Sequence, residues 1–367
     1  MNLVTMKDYI YATPQKVLEN ITNSQKLVQP IVELYTKKEY KQIILVASGS
    51  SYTAIHCARN YLCQRLQIDV KVINPFTFSE YDYQYVKDDD FVVIVSQSGA
   101  STNCISALQK LDQIGHEKYV LTGNIESDCQ KYADVMLDWG CGIETMGYVT
   151  LGVVTLVVYL MLFAVYAAKS LNKGDYIEYT KSQITKAMTN HQYVCKETEE
   201  FIQKHYQALM QMDRVYVLGA GSNYGAALEG ALKIGETVKV LAVGYEQDEF
   251  LHGPALQLSP KYTVFVIDSG DQTSHHAKQV FEGLLKVVKN TFMISSSSLD
   301  HSHVLCVQDP CDEPFTCLYH LPFFELIAEI ISTDLDSKKS HPLYYEMNKV
   351  IDFRTSEFRK KHSADED

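Results

Sequence analysis

Basic residues are in short supply in this 367-residue chain: 33 Lys and Arg face 45 Asp and Glu, a formal net charge of -12. Such a surface repels nucleic acid phosphates and anionic lipid. Neither nucleic acid nor membrane is therefore expected as a partner, and an anionic ligand would need a locally favourable pocket. Paired cysteine spacing is missing as well. The nine cysteines, at 57, 63, 104, 129, 141, 195, 306, 311 and 317, are odd in number and contain no C-x-x-C, a usage that a reducing compartment tolerates. His301, His303, Cys306 and Cys311 fall close together, but strand alternation accounts for the run, and no metal or other cofactor is expected. The first residues, Met-Asn-Leu-Val-Thr-Met-Lys-Asp, carry no apolar h-region, and the expected location is cytoplasmic.

Long hydrophobic runs are rare too. Val149 to Ala168 is twenty residues without a charge, long enough to cross a bilayer. Thr150, Gly152, Thr155, Tyr159 and Tyr166 punctuate it, the basic flank is limited to Lys169 and Lys173, and no second span accompanies it. It is read as a helix buried between two domains. With 46% hydrophobic and 21% charged residues the composition is globular, and the length suggests two domains.

What the chain does have is α/β punctuation. After an amphipathic helical segment over 1–40 comes the strand Ile43–Val46, a tight turn Ser48-Gly49-Ser50-Ser51 and a helix Tyr52–Leu66. Strands follow at Val70–Ile73, Phe91–Val95, Tyr119–Thr122 and Val135–Leu137, with helical stretches such as Thr102–Ile114 between them. This alternation predicts an α/β fold, a parallel sheet with helices on both faces. The pattern then repeats. Val46-Ala-Ser-Gly-Ser-Ser-Tyr-Thr-Ala54 matches Leu218-Gly-Ala-Gly-Ser-Asn-Tyr-Gly-Ala226 at an offset of 172, which also lays Val92–Val95 over Val264–Ile267 and Tyr119–Thr122 over Thr291–Ile294 without a gap. The expected layout is a first domain over 41–168, a helical linker over 169–211, a second domain over 212–335, and a C-terminal segment over 336–367 closing the site. Its end, Arg359–Asp367, reads as frayed.

The two copies differ in chemistry. Ser96-Gln97-Ser98-Gly99-Ala100-Ser101-Thr102 offers hydroxyls, an amide and a helix N-terminus to a phosphate. Its counterpart, Asp268-Ser269-Gly270-Asp271, carries two carboxylates that would repel one. Conversely, the second copy holds Glu229, Lys233 and Glu236 at helical spacing, followed by His252 in a Leu-His-Gly-Pro turn. A helical carboxylate and a loop imidazole suit proton transfer on a small substrate. Gly219-Ala-Gly-Ser-Asn-Tyr-Gly225 misses the G-x-G-x-x-G spacing of dinucleotide sites.

Taken together, G-S-S-Y, S-Q-S-G-x-S/T, A-L-E-G-A-L-K-x-x-E and x-x-H-G-P resemble the double sugar isomerase (SIS) domain proteins over roughly residues 40–350. That family includes the isomerase half of glucosamine-6-phosphate synthase and the fructosamine-6-phosphate deglycases. The resemblance implies two flavodoxin-like three-layer domains and a sugar phosphate held by Ser50, Ser51, Ser96, Gln97, Ser98 and Ser101. It implies that Glu144 and Lys233 contact the sugar and that Glu236 is the general base. It also implies that His252 opens the ring from the partner subunit of a homodimer. Lys349 is the position most similar to the family's C-terminal lysine.

The family's Pro-Arg-Asn-Leu-Ala-Lys becomes Pro342-Leu-Tyr-Tyr-Glu-Met-Asn-Lys349 here, which makes His341 and Tyr344 candidate substitutes at the site edge. The sequence shows no glutaminase domain. A fructosamine-6-phosphate deglycase is therefore the leading expectation. A glucosamine- or galactosamine-6-phosphate deaminase-isomerase and a non-catalytic phosphosugar sensor are the alternatives. Glu229 is read as structural.

Overall fold

Each short Val- and Ile-rich run becomes a strand, and each following stretch of helical periodicity becomes the crossover that parallel pairing demands. In the computed structural model, which describes residues 4–362, α1 (Met6–Thr22) and α2 (Ser24–Tyr35) come first. A capping box starts α1: Thr5 Oγ1 accepts from the Asp8 backbone N–H, and Asp8 accepts from the Thr5 N–H. The first half continues as β1 (Gln42–Ala47), α3 (Gly49–Leu66), β2 (Asp69–Ile73), the single turn α4 (Pro75–Thr77), β3 (Asp90–Val95), α5 (Thr102–Gln113), β4 (Tyr119–Thr122), β5 (Val135–Asp138) and α6 (Leu151–Ser170). The long α7 (Ile177–Met210) leads into β6 (Arg214–Gly219), α8 (Ser222–Val238), β7 (Leu241–Glu246), β8 (Tyr262–Asp268), α9 (Ser274–Leu285), β9 (Asn290–Ser295), β10 (Val304–Cys306) and α10 (Glu313–Asp334). Two short helices, α11 (Pro342–Asn348) and α12 (Ser356–His362), end the described chain. Met1–Leu3 and the last residues of the tail expected to fray, 363–367, lie outside the described residues.

Both sheets have five strands and are parallel throughout, in the orders β2-β1-β3-β4-β5 and β7-β6-β8-β9-β10. This is the flavodoxin-like order, and the fold class expected from the sequence is observed twice. The topological switch in the first half lies between β1 and β3, so ligand contacts are expected outside their carboxyl ends. The two registers superpose: Val46 pairs with Ile94 and Leu218 with Val266. Farther along they diverge. Tyr119 lies across from Val93, but Phe292 lies across from Phe265, one residue beyond the sequence overlay. The gap-free repeat thus holds for the first three strands of each half and slips at the fourth.

Two other expectations are corrected. Gly49, Ser50 and Ser51 form the first turn of α3 and are not a separate turn, with Gly49 at φ 57°, a backbone conformation that glycine tolerates best. The apolar helix α6 does not lie between the halves; it packs chiefly on α3, α2 and α1 inside the first half. The halves meet instead where α3 packs on α8 and α10. Among the described residues a second helix, α10, is also long and apolar enough to span a membrane, and in both helices 94% of the apolar 18-residue stretch is buried inside the protein. Core burial accounts for their composition.

Candidate functional site

The seam between α3 and α8 is tight because Gly225 faces α3 without a side chain: a Cβ there would come within 2.4 Å of the Cys57 backbone nitrogen. Close approach brings the polar stripe of α8 against the first turns of α3. Glu229, Lys233 and Glu236 share one face at i, i+4 and i+7. Lys233 Nζ lies 3.1 Å from Glu229 Oε1, 2.5 Å from Glu236 Oε1 and 3.1 Å from Ser50 Oγ. Glu229 is fully buried and accepts from the hydroxyls of Ser50 at 2.9 Å and Thr53 at 2.5 Å. It is a fixed anion that ties the halves together.

Glu236 is the outward member of the three, with 31% of its side chain exposed. Burial raises its pKa above the usual glutamate value, and the charge of Lys233 opposes that rise without cancelling it. For Lys233 burial disfavours the ammonium, but Glu229 and Glu236 outweigh it and the net shift is upward. Lys233 is therefore a locked cation, whereas Glu236 is a carboxylate with a weakened hold on its charge. Such a group can take and return a proton. Tyr148 stands near them, half-buried, its hydroxyl pKa raised by burial and then by the Glu236 charge, and it donates to the Lys338 carbonyl at 2.8 Å. Deeper in α10, the Glu325 carboxyl is buried with Oε1 unpartnered, and its pKa is pushed up to about 8 by burial and by Glu229.

Glu144 occupies the loop before α6. It accepts from Gln97 Nε2 at 2.9 Å and from the backbone N–H groups of Thr150 and Gly152 at 3.1 and 2.5 Å. Burial nevertheless raises its pKa. Gly152 is required for this arrangement: a Cβ there would sit 2.2 Å from Gln97 Oε1. Two residues expected to contact substrate are thus joined to each other.

The serine loop stands at the carboxyl end of β3, beside the start of α3, where Asn103 Nδ2 donates to Ser48 Oγ at 3.1 Å. Ser96 is buried, and Ser98 and Ser101 are half-buried. Unforeseen from the sequence, Arg354 reaches this loop and its Nη1 donates to Ser98 Oγ at 2.7 Å and to Ser101 Oγ at 3.0 Å. The signal that could have pointed to it is indirect: a loop expected to hold an anion, in an acidic chain and with no cation of its own, needs one from elsewhere.

In the second half the position that matches Ser96 is Asp268, fully buried. Its carboxylate accepts from the hydroxyls of Ser274 at 3.0 Å, Ser295 at 2.7 Å and Ser297 at 2.5 Å, and from the Gly270 N–H at 2.9 Å. An internal anion already satisfies those donors, which leaves the first half as the one suited to an external phosphate.

Of the other expected site residues, Ser50 belongs to the cluster, and among the described residues no hydrogen bond or ion pair joins His252, His341 or Lys349 to it. Ser51 is buried in the first turn of α3, and the Ser50 hydroxyl turns to Glu229 and Lys233. His252 is exposed, and among the described residues its ion-pair partner is Asp248, at 3.8 Å. Lys349 is exposed and pairs with Glu346 at 2.7 Å. His341 is also exposed and accepts from the Leu343 N–H.

The SIS domain family model matches residues 37–167 and 208–299, one segment in each half and together more than half of the chain. The protein belongs to the SIS domain family. Among curated relatives, it is 26% identical over 269 residues to the isomerizing glutamine–fructose-6-phosphate aminotransferase of Thermococcus kodakarensis, a match covering 71% of this chain and 43% of that protein. The chain thus spans less than half the length of that relative. Among solved structures, a Clostridium difficile 630 protein proposed to be a phosphosugar isomerase matches with a TM-score of 0.83 at 24% identity, covering 98% of both chains. The glucosamine-6-phosphate deaminase of Thermotoga maritima matches with a TM-score of 0.68 at 19% identity, covering 89% of this chain and 97% of that one. At these identities the structural likeness establishes the fold alone.

Proposed function

We propose that the protein acts on an amino-sugar 6-phosphate, deglycating a fructosamine 6-phosphate to a hexose 6-phosphate and a free amine. The observation that carries this reading is the Lys233–Glu236 pair, in which a partly exposed carboxylate with a raised pKa is held at a buried cation on the seam facing the first half. In the proposed reaction Ser96, Ser98 and Ser101 hold the phosphate, and this anchoring orients the reacting carbons. Glu236 takes a proton from C1, giving an enaminol; its partly exposed carboxyl exchanges that proton with water and delivers one to C2. The resulting C1 imine adds water and releases the amine, leaving the aldehyde of the hexose phosphate. Lys233 fixes the position of the Glu236 carboxylate, and Glu144 and Gln97 line the sugar side.

His252 is exposed and outside the cluster, and the reading gives it to a second copy, where it assists ring opening in a homodimer with shared sites. The names of the relatives support substrates of the sugar-phosphate class. A panel of fructose- and glucose-derived amine 6-phosphates, scored for hexose 6-phosphate, free amine and ammonia, tests the proposal. Equal release of hexose 6-phosphate and alkyl amine is expected. Ammonia from glucosamine or galactosamine 6-phosphate would make the protein a deaminase-isomerase, and binding without any turnover would make it a sensor.

A further inference from the structure

Arg354 is a cation that no carboxylate of the described residues neutralises: none lies within ion-pair distance of its guanidinium, whereas Lys233 has two. The Arg354 side chain is half-buried, with its guanidinium 5.3 Å from the centre of the Phe358 ring and 5.9 Å from that of Phe353. Burying a charge in this way costs free energy, part of which an anion hydrogen-bonded to the guanidinium would offset. What the guanidinium does touch is Ser98 and Ser101, donating to both hydroxyl oxygens. A serine that accepts through its lone pairs keeps its O–H free to donate. The charge, the two hydroxyls and the N-terminal end of α5 thus converge on one place, all with donor or positive character.

The backbone around Arg354 is built to hold it there. Arg354 and Ser101 form an antiparallel bridge, the Phe353 carbonyl accepts from the Thr102 N–H at 3.3 Å, and the Thr355 N–H donates to the Ala100 carbonyl at 3.0 Å. The Asp352 carbonyl accepts from the Thr102 hydroxyl at 2.7 Å, the Thr355 hydroxyl donates to Asp128, and Lys131 pairs with Glu357 at 2.7 Å. Residues 352–357 are therefore a strap fastened along the serine loop from both sides of the arginine.

We infer that Arg354 supplies the counter-charge for the substrate phosphate, so that the anion site is completed by the C-terminal strap and not by the first half alone. This rests on the reading of the serine loop as the phosphate site. It accounts for how a chain of net charge -12 can recruit a dianion with a loop that has no cation of its own. It also links the two ends of the site, because an anion bound between Arg354, Ser98 and Ser101 would tie the strap down.

The test is calorimetric titration of the full chain with inorganic phosphate and, separately, with glucose 6-phosphate, for the wild type, Arg354→Gln and Arg354→Lys. A melting temperature matching the wild type checks that each variant keeps the fold. In Arg354→Gln, binding of both ligands should weaken by roughly tenfold or more and lose part of its salt dependence. Arg354→Lys should recover part of the affinity, because it keeps the charge and loses the fork. Equal affinity in Arg354→Gln would overturn the inference. Tighter binding would too, since the guanidinium would then be an occluding plug, and so would a wild type that binds neither ligand. Weaker binding in Arg354→Gln together with no turnover of any amine 6-phosphate by the wild type would leave the inference standing and remove the deglycase reading. Turnover with an unchanged KM in Arg354→Gln would do the reverse.

Discussion

Lys233 Nζ sits 2.5 Å from Glu236 Oε1; the contact anchors the carboxylate on the seam, while burial keeps its pKa raised against the pull of the ammonium. The same ammonium is 3.1 Å from the buried Glu229. Removing it by Lys233→Met would strand Glu229 without a counter-ion. We expect a loss of about 3–5 kcal/mol in unfolding free energy, measured by urea denaturation. The double variant Lys233→Met/Glu229→Gln should regain much of that loss, because the second change removes the stranded charge.

Burial raises the Glu236 pKa, and in its proposed role as base the carboxyl must be ionised to accept a proton. The acid limb of kcat/KM against pH should therefore lie above the ordinary glutamate pKa of about 4.3, with activity rising as pH increases through it. Adding charge-neutralising salt should move the limb little, since the cause is desolvation. A limb at or below the ordinary value would argue that Lys233 dominates.

Glu325 provides a separate pH test, on stability. Its pKa in the folded protein is pushed up to about 8, well above its unfolded value. Its contribution to stability is then fully present below the unfolded pKa and is lost as pH rises through about 8. Glu325→Gln removes this dependence. Melting temperatures of the wild type should fall relative to that variant between about pH 5 and pH 8, and parallel curves would contradict the assignment.

Two glycines at the site should fail differently when substituted. At Gly225 an added Cβ meets the α3 backbone, which cannot step aside, so Gly225→Ala should cost about 1–3 kcal/mol of stability. At Gly152 the obstacle is the end of the Gln97 side chain, which can swing away at the expense of its bond to Glu144. Gly152→Ala should leave the melting temperature close to wild type while raising KM. Thermal denaturation and steady-state kinetics on the pair separate the two effects.

The strands were legible because buried parallel strands read as continuous Val and Ile runs, as in β3, where all six residues are buried. Glu229, Lys233 and Glu236 were legible because residues at helical spacing share a face whatever the tertiary context. The slip between β4 and β9 was not, because an overlay of sequence offsets cannot see which residues face each other across a ladder. Helix α10 escaped notice as an apolar span because His320, Glu325 and Glu329 interrupt its composition, although all three are buried in the fold. Arg354 was hidden for a different reason. Its partners Ser98 and Ser101 lie some 250 positions away, and only the folded chain brings them together.

In the proposed reaction Glu236 moves the proton. Glu236→Gln keeps the size and the hydrogen-bonding capacity of the side chain and removes its basicity. Incubated with a fructosamine 6-phosphate in deuterated water, the wild type is expected to release hexose 6-phosphate carrying deuterium at C2, followed by NMR. The variant should bind the substrate with similar affinity and turn it over roughly 10²–10⁴-fold more slowly. Full turnover by Glu236→Gln, with the same deuterium incorporation, would contradict the account.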